Sequence, residues 1–158
     1  MDIFDEEIIK LWELLSVNDV KYIMVGGFAT NLHGFSRMTG DVDIWIKDTL
    51  ENRRKLRNVL KQLDLGDFEG IETMQFLPGW SSIVLNSGIE LDIMTSMKGF
   101  DQSAFDKCFE MSVVATIQNI SIRFIGLNDL IQAKKEAFRE KDKIDIIELE
   151  KIKKASEK

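Results

Sequence analysis

The segment Tyr22-Ile23-Met24-Val25-Gly26-Gly27, followed after thirteen residues by Asp41-Val42-Asp43-Ile44-Trp45-Ile46, decides the fold of this chain. Four apolar residues closed by a glycine pair read as a buried strand running into a tight turn. Residues 28–33 can then form a short helix. Residues 41–47 alternate polar and apolar side chains with period two, which predicts a strand with one buried face. That alternation puts Asp41 and Asp43 on the same side of the strand, about 6.6 Å apart.

Working outward, Phe4, Ile8, Leu11, Trp12 and Leu15 recur at three- and four-residue spacings, as on one stripe of a helix ending near Ser16. After the central stretch, Asp48 is placed to cap a helix with Glu51 at its third position and Leu56, Val59, Leu60 and Leu63 on its apolar stripe. Gly66 ends that segment. Strands are predicted over 73–77, 82–85 and 89–95, joined by the turns Pro78-Gly79 and Asn86-Ser87-Gly88. Residues 101–109 read as helical, and 112–116 with 120–124 read as a hairpin around Gln118-Asn119. Asn128 is placed to cap a helix carrying Leu130, Ile131, Lys134 and Phe138. A last helix carries Ile144, Ile147 and Ile152, with the tail after Lys151 expected to fray. No repeat, low-complexity tract or linker interrupts the pattern. Residues 1–158 therefore read as one mixed α/β domain, a mixed sheet flanked by helices with two more helices at the C-terminal end.

The chain has 158 residues, 44% hydrophobic and 30% charged, with one proline and ten glycines, the composition of an ordinary globular domain. Twenty-one basic residues against 27 acidic ones leave a net charge of −6, which argues against bulk nucleic-acid binding through broad phosphate contacts. The opening residues are acidic where a secretory signal would be basic, and no apolar run reaches the ~18–20 residues of a membrane span. The expectation is a cytoplasmic protein with no membrane contact. Cys108 is the one cysteine, read as a small buried hydrophobe, and His33 is the one histidine, read as a packed or hydrogen-bonded loop residue. No serine or cysteine has the context of a nucleophile. Any chemistry therefore falls to carboxylates. Trp12 and Trp45 read as core, and Trp80 as an exposed aromatic.

Asp41 and Asp43 could grip one hard cation, since two like charges held this close need compensation. Asp92, in the alternating run Ile89-Glu90-Leu91-Asp92-Ile93-Met94, could add a third carboxylate from a neighbouring strand. Gly26-Gly27 would let an anion come close to backbone N–H groups. Each has a plain structural reading when taken alone: a solvated strand face, an ordinary exposed residue, a turn. Arg53-Arg54-Lys55 with Arg57 is either a modest basic patch or a solvated helix face.

Taken together, Val25-Gly26-Gly27, Asp41-Val42-Asp43-Ile44 and the later Asp92 resemble the signature of the polymerase-β-type nucleotidyltransferase superfamily. The whole run 25–46 is similar to the small bacterial members related to AbiEii-type toxins. Leu130-Ile131-Gln132-Ala133-Lys134, with Arg139-Glu140-Lys141-Asp142-Lys143-Ile144-Asp145, resembles that group's distal lysine and Lys-Asp-x-x-Asp helix. The resemblance implies the nucleotidyltransferase fold, with Asp41, Asp43 and Asp92 holding Mg²⁺ (or Mn²⁺) and Asp92 taking the acceptor's proton. It assigns Gly26, Gly27, Arg37, Thr39 and Lys134 to the nucleotide. Asp142 and Asp145 would be accessory, orienting Lys134 or touching substrate; the competing reading is a cap and a surface charge paired with Lys141.

The implied reaction moves a nucleoside monophosphate from NTP to a hydroxyl on a small molecule, tRNA or protein. The alternatives are the toxin component of a toxin–antitoxin or phage-defence pair, or a non-catalytic nucleotide-binding scaffold. Many superfamily members carry Gly-Ser where this chain has Gly-Gly, so a side-chain hydroxyl is missing at that point. Little chain remains to recognise the acceptor, so a homodimer or a separately encoded protein partner is expected to supply that wall.

Overall fold

A computed structural model describes residues 5–77 and 80–157; Phe4 of the predicted first stripe and the Pro78-Gly79 turn lie outside the described residues. Helix α1 (Glu6–Val17) starts on Asp5, whose carboxylate accepts the N–H groups of Glu7 and Ile8, and it buries Ile8, Leu11, Trp12 and Leu15 along one stripe. Then follow β1 (Tyr22–Val25), α2 (Gly26–Leu32), β2 (Asp41–Ile46), α3 (Leu50–Gln62), β3 (Ser82–Val84) and β4 (Glu90–Met94). The remainder is α4 (Phe105–Glu110), β5 (Val113–Ile117), β6 (Ile120–Phe124), α5 (Leu127–Ala137) and α6 (Glu140–Ser156).

The six strands form one mixed sheet in the order β3-β4-β2-β1-β6-β5. Strands β2 and β4 run parallel, as do β1 and β6, and the other neighbours are antiparallel. Strands β1, β2 and β4 form its centre. The β5–β6 hairpin turns at Gln118 and Asn119, both with φ above +50°, the left-handed pair that a two-residue turn needs. Among the described residues no helix is long and apolar enough to cross a membrane.

Strand β2 departs from the one-faced burial that its alternation predicts. Val42, Ile44 and Ile46 are fully buried on one side, but so is Trp45 on the side of Asp41 and Asp43. Phe100 and Phe105 meet the Trp45 ring edge-on, and its indole N–H donates to the Thr95 carbonyl. The aspartate face is thus sealed at one end and open at the other, with Asp41 exposed and Asp43 half-buried.

Several other elements differ from expectation. Thr49, not Asp48, caps α3, accepting the Asn52 N–H, while Asp48 pairs with Arg53 at 2.6 Å. The predicted strand at 73–77 is absent: a 3₁₀ turn spans Glu69–Glu72, and the Arg53 guanidinium takes the carbonyl of Ile71 in that turn and that of Met74, which a strand ladder would have used. The basic patch on α3 is not free either. Arg54 and Arg57 both pair with Glu72, and Arg57 also forks onto Asp67. Helix α5 begins at Leu127 with its first turn closed on the Gly126 carbonyl, so Asn128 is inside it rather than its cap.

Helix α6 reverses its predicted polarity. Ile144 and Ile147 are exposed, whereas Asp142, Asp145 and Leu149 are buried. The tail does not fray; α6 continues to Ser156, with a Glu148–Lys151 pair on its own surface and Glu150 reaching Lys135 of α5.

Candidate functional site

The parallel register of β2 and β4 sets Asp43 directly beside Asp92 and Asp41 beside Glu90. Side chains at paired positions project from the same face, so the three aspartates converge at the open end of the sheet. Asp92 is buried. Directly above them β1 ends and α2 begins at Gly26, whose φ of +75° turns the chain sharply. A Cβ on Gly26 would overlap Asp43 Oδ2, so only glycine lets the backbone ride over this carboxylate.

Burial, Asp92 and Asp41 together push the Asp43 carboxyl up to about 7, against the milder opposing pull of Lys141 and Arg139. The cluster is short of positive charge, and its hard oxygen donors suit Mg²⁺ or Mn²⁺. Among the described residues no three acidic, His or Cys side chains already form a metal cage. A magnesium ion asks less: it takes one or two carboxylates and completes its shell with water and phosphate oxygens.

Cations share the site. Arg37, in the connection from α2 to β2, donates from Nε and Nη2 to the two oxygens of Asp145 at 2.8 and 2.9 Å. The Lys134 ammonium, buried on α5, donates to the same Asp145 at 2.8 Å and lies 3.7 Å from Asp142. Asp142 caps α6 through the Arg139 backbone N–H and also binds the Arg139 guanidinium. Burial would raise its pKa, but these donors hold it below the usual carboxylate range. Asp142 is therefore a cap, but it does not pair with Lys141, and Asp145 is no surface charge. A cavity of about 460 Å³ takes in both sets of charges, lined by Gly26, Gly27, Arg37, Asp41, Asp43, Asp92, Lys98, Lys134, Arg139 and Lys141.

All the residues singled out from the sequence thus meet in one place, except that Asp142 and Asp145 support the cavity from behind and Thr39 reaches it through Gly27. Sequence reasoning gave no role to Lys98, to Arg139 or to Asn31, which brackets Arg37. Only Arg139 carried a signal, its place at the head of the Lys-Asp-x-x-Asp run. His33 Nε2 donates to the Ile125 carbonyl, 2.7 Å away, and the ring meets Phe124 edge-on, a packed role as expected. A second cavity, of about 610 Å³, lies between α4, the start of α5 and the end of α6, beside the buried Cys108, whose thiol is pushed up to about 12 by burial and Asp129. It has no cluster of carboxylates.

The architecture is that of nucleotidyltransferases. A Thermotoga maritima protein described provisionally as a nucleotidyltransferase superposes with a TM-score of 0.56 at 14% identity, covering 93% of this chain and 84% of that one. An antigenic nucleotidyltransferase-like protein from Paracoccidioides brasiliensis superposes with a TM-score of 0.56 at 22% identity, covering 92% and 76%. Over residues 3–156 the chain matches, and belongs to, the family described as nucleotidyltransferase of unknown function (DUF6036). No curated protein matches it.

Proposed function

We propose that the chain is a Mg²⁺- or Mn²⁺-dependent nucleotidyltransferase that moves a nucleoside monophosphate from NTP to a hydroxyl acceptor. The adjacency of Asp43 and Asp92 beneath Gly26, in one cavity with Arg37 and Lys134, carries this assignment. Asp41, Asp43 and Asp92 would hold the metal, which when bound would supply charge neutralisation for the triphosphate and the leaving pyrophosphate. Gly26 and Gly27 would offer backbone to the triphosphate, and Arg37 and Lys134 would face its charge. Asp92 takes the proton as the acceptor oxygen bonds to the α-phosphorus and the bond from that phosphorus to the bridging oxygen breaks, releasing pyrophosphate. Kinship with the AbiEii-toxin-like group is supported by the meeting of Lys134 with Asp145 of the C-terminal helix. The acceptor wall would come from a second copy of the chain or a separate protein.

Calorimetric titration of ATP, GTP, CTP and UTP with MgCl₂ tests the assignment. At least one should bind the wild type in a metal-dependent manner, and binding should vanish in Asp41→Ala/Asp43→Ala. Failure of all four to bind the wild type would refute it. Radiolabelled NTPs incubated with cell extract would then report donor and acceptor class together.

A further inference from the structure

Helix α6 turns Asp142, Asp145 and Leu149 inward and its opposite face to water. On that outer face Ile144 and Ile147, one turn apart, are 62% and 56% exposed. Phe138, just before the helix, is 61% exposed, with the Lys143 ammonium 5.6 Å from its ring centroid. Its backbone is left-handed, with a φ of +43°, a conformation unfavourable for so bulky a residue. Large apolar side chains held in water in this way mark a surface that binds something.

The charges around the two isoleucines identify what it binds. Counted outward from the point between Asp145 and Ile146, the outer residues are complementary: Glu140 mirrors Lys151, Lys141 mirrors Glu150, Lys143 mirrors Glu148, and Ile144 mirrors Ile147. When two copies of one helix pair antiparallel about such a point, each residue lies level with its mirror on the other copy. Glu140 then meets Lys151 and Ile144 packs on Ile147, each contact made twice by the twofold symmetry. On the flanks Lys143 falls near Glu150 and Lys141 near Glu148, again opposite in sign. A parallel pair would set Glu140 against Glu140 and Lys151 against Lys151, so the pattern selects the antiparallel one. Within a single chain Glu140 pairs with Lys143 at 2.8 Å and Glu148 with Lys151 at 3.3 Å, surface contacts too weak to account for the pattern.

We propose that the outer face of α6 is a twofold dimer interface, on which two copies of this chain pair their α6 helices antiparallel about the point between Asp145 and Ile146. Three helical turns offer less than the ~800 Å² per partner of a standard interface, so the dimer forms in the micromolar range. The pairing rests on α6 alone, not on the nucleotidyltransferase reading. Arg139 and Lys141, at the same end of this helix, line the cavity of Asp43 and Asp92. Under that reading the second copy would stand at the cavity's rim, where an acceptor wall is missing.

Sedimentation equilibrium of the full chain from about 1 to 200 μM spans dissociation constants of that order, and the wild type should pass from monomer to dimer across it. Glu140→Lys and Lys151→Glu each set like charges against one another at both central contacts, and each should weaken dimerisation at least about tenfold. Mixed in equal amounts, the two variants should dimerise to within about threefold of the wild type. In the mixed dimer the new lysine faces the new glutamate, and the native pair is kept at the other contact. Thermal melts of each variant check folding, and recovery on mixing cannot come from a folding defect. A wild type that stays monomeric throughout would overturn the proposal, as would single variants that dimerise like the wild type or a mixture no tighter than its components. None of these results bears on metal-dependent NTP binding, by which the nucleotidyltransferase reading stands or falls.

Discussion

Asp43→Asn should stabilise the metal-free protein at alkaline pH. In the folded chain burial, Asp92 and Asp41 raise the Asp43 carboxyl from 3.8 to about 7, so its folded pKa stands above its unfolded one. Below pH 4 both states hold the proton and nothing is lost. Between pH 4 and 7 the unfolded chain releases it while the folded chain keeps it, and stability falls; above pH 7 the loss is complete. At about 1.4 kcal/mol per pH unit that interval is worth about 4 kcal/mol. Water at the open end of the half-buried site screens the repulsion, which brings the expected cost to about 2 kcal/mol. Asparagine has the same shape and no charge to repel Asp41 and Asp92. For a chain of this length its melting temperature in EDTA at pH 8 should exceed the wild type's by roughly 4–8 °C, and the difference should close as pH approaches 4. Thermal melts by circular dichroism from pH 4 to 9 measure this directly. Saturating Mg²⁺ with NTP should reverse the order, because a bound cation would stabilise only the wild-type carboxylate. A variant that melts no higher than the wild type at pH 8 in EDTA would refute the idea that these carboxylates repel one another in the folded state.

Gly26→Ala combines a left-handed backbone with a methyl group driven into Asp43 Oδ2, and urea denaturation should show a loss of about 2–4 kcal/mol; a loss under 0.5 kcal/mol would mean that the turn can relax. Asp145→Asn leaves Arg37 and the buried Lys134 ammonium around a neutral amide, and should cost about 3 kcal/mol by the same measurement. Adding Lys134→Met should recover part of that loss, and no recovery would show that Asp145 acts on Arg37 alone.

The strand-turn-strand frame was legible because its signals are local: a four-residue apolar run, a glycine pair, and a period of two. The hairpin at Gln118-Asn119 was legible for the same reason, since the turn type and the flanking alternation agree. What failed was tertiary in origin. A strand at 73–77 requires free carbonyls, and Arg53, some twenty residues earlier, takes that of Met74 while tying down Ile71 just before it. On α6 the apolar period pointed at Ile144 and Ile147 because polar residues are assumed to face water. Here Asp142 and Asp145 occupy the inward positions, since the buried Lys134 and the partly exposed Arg37 and Arg139 pair with them there. The pairing of Asp43 with Asp92 depends on the parallel register of β2 and β4, which no periodicity encodes; alternation offered Asp92 as a possible third carboxylate, and resemblance to a family joined it to the pair.

Under the proposed function, the same buried charges would let an acidic chain face a polyanion. Its cavity brings together two sets of charges, the carboxylates Asp41, Asp43 and Asp92 and the cations Arg37, Lys98, Lys134, Arg139 and Lys141. Asp145 is shared by two of these cations, so it holds Arg37 and Lys134 in place while neutralising only part of their charge. The carboxylate set is not at its electrostatic minimum alone, as the raised Asp43 carboxyl records. Under the proposed function a divalent cation balances the first and a triphosphate the second, and because the cation and the triphosphate also bind each other, each should strengthen the other's binding. The net charge of −6 then keeps longer polyanions from settling elsewhere on the surface, where Arg54 and Arg57 are already paired with acids. Under that function, affinity for phosphate would be concentrated where a metal can be held beside it.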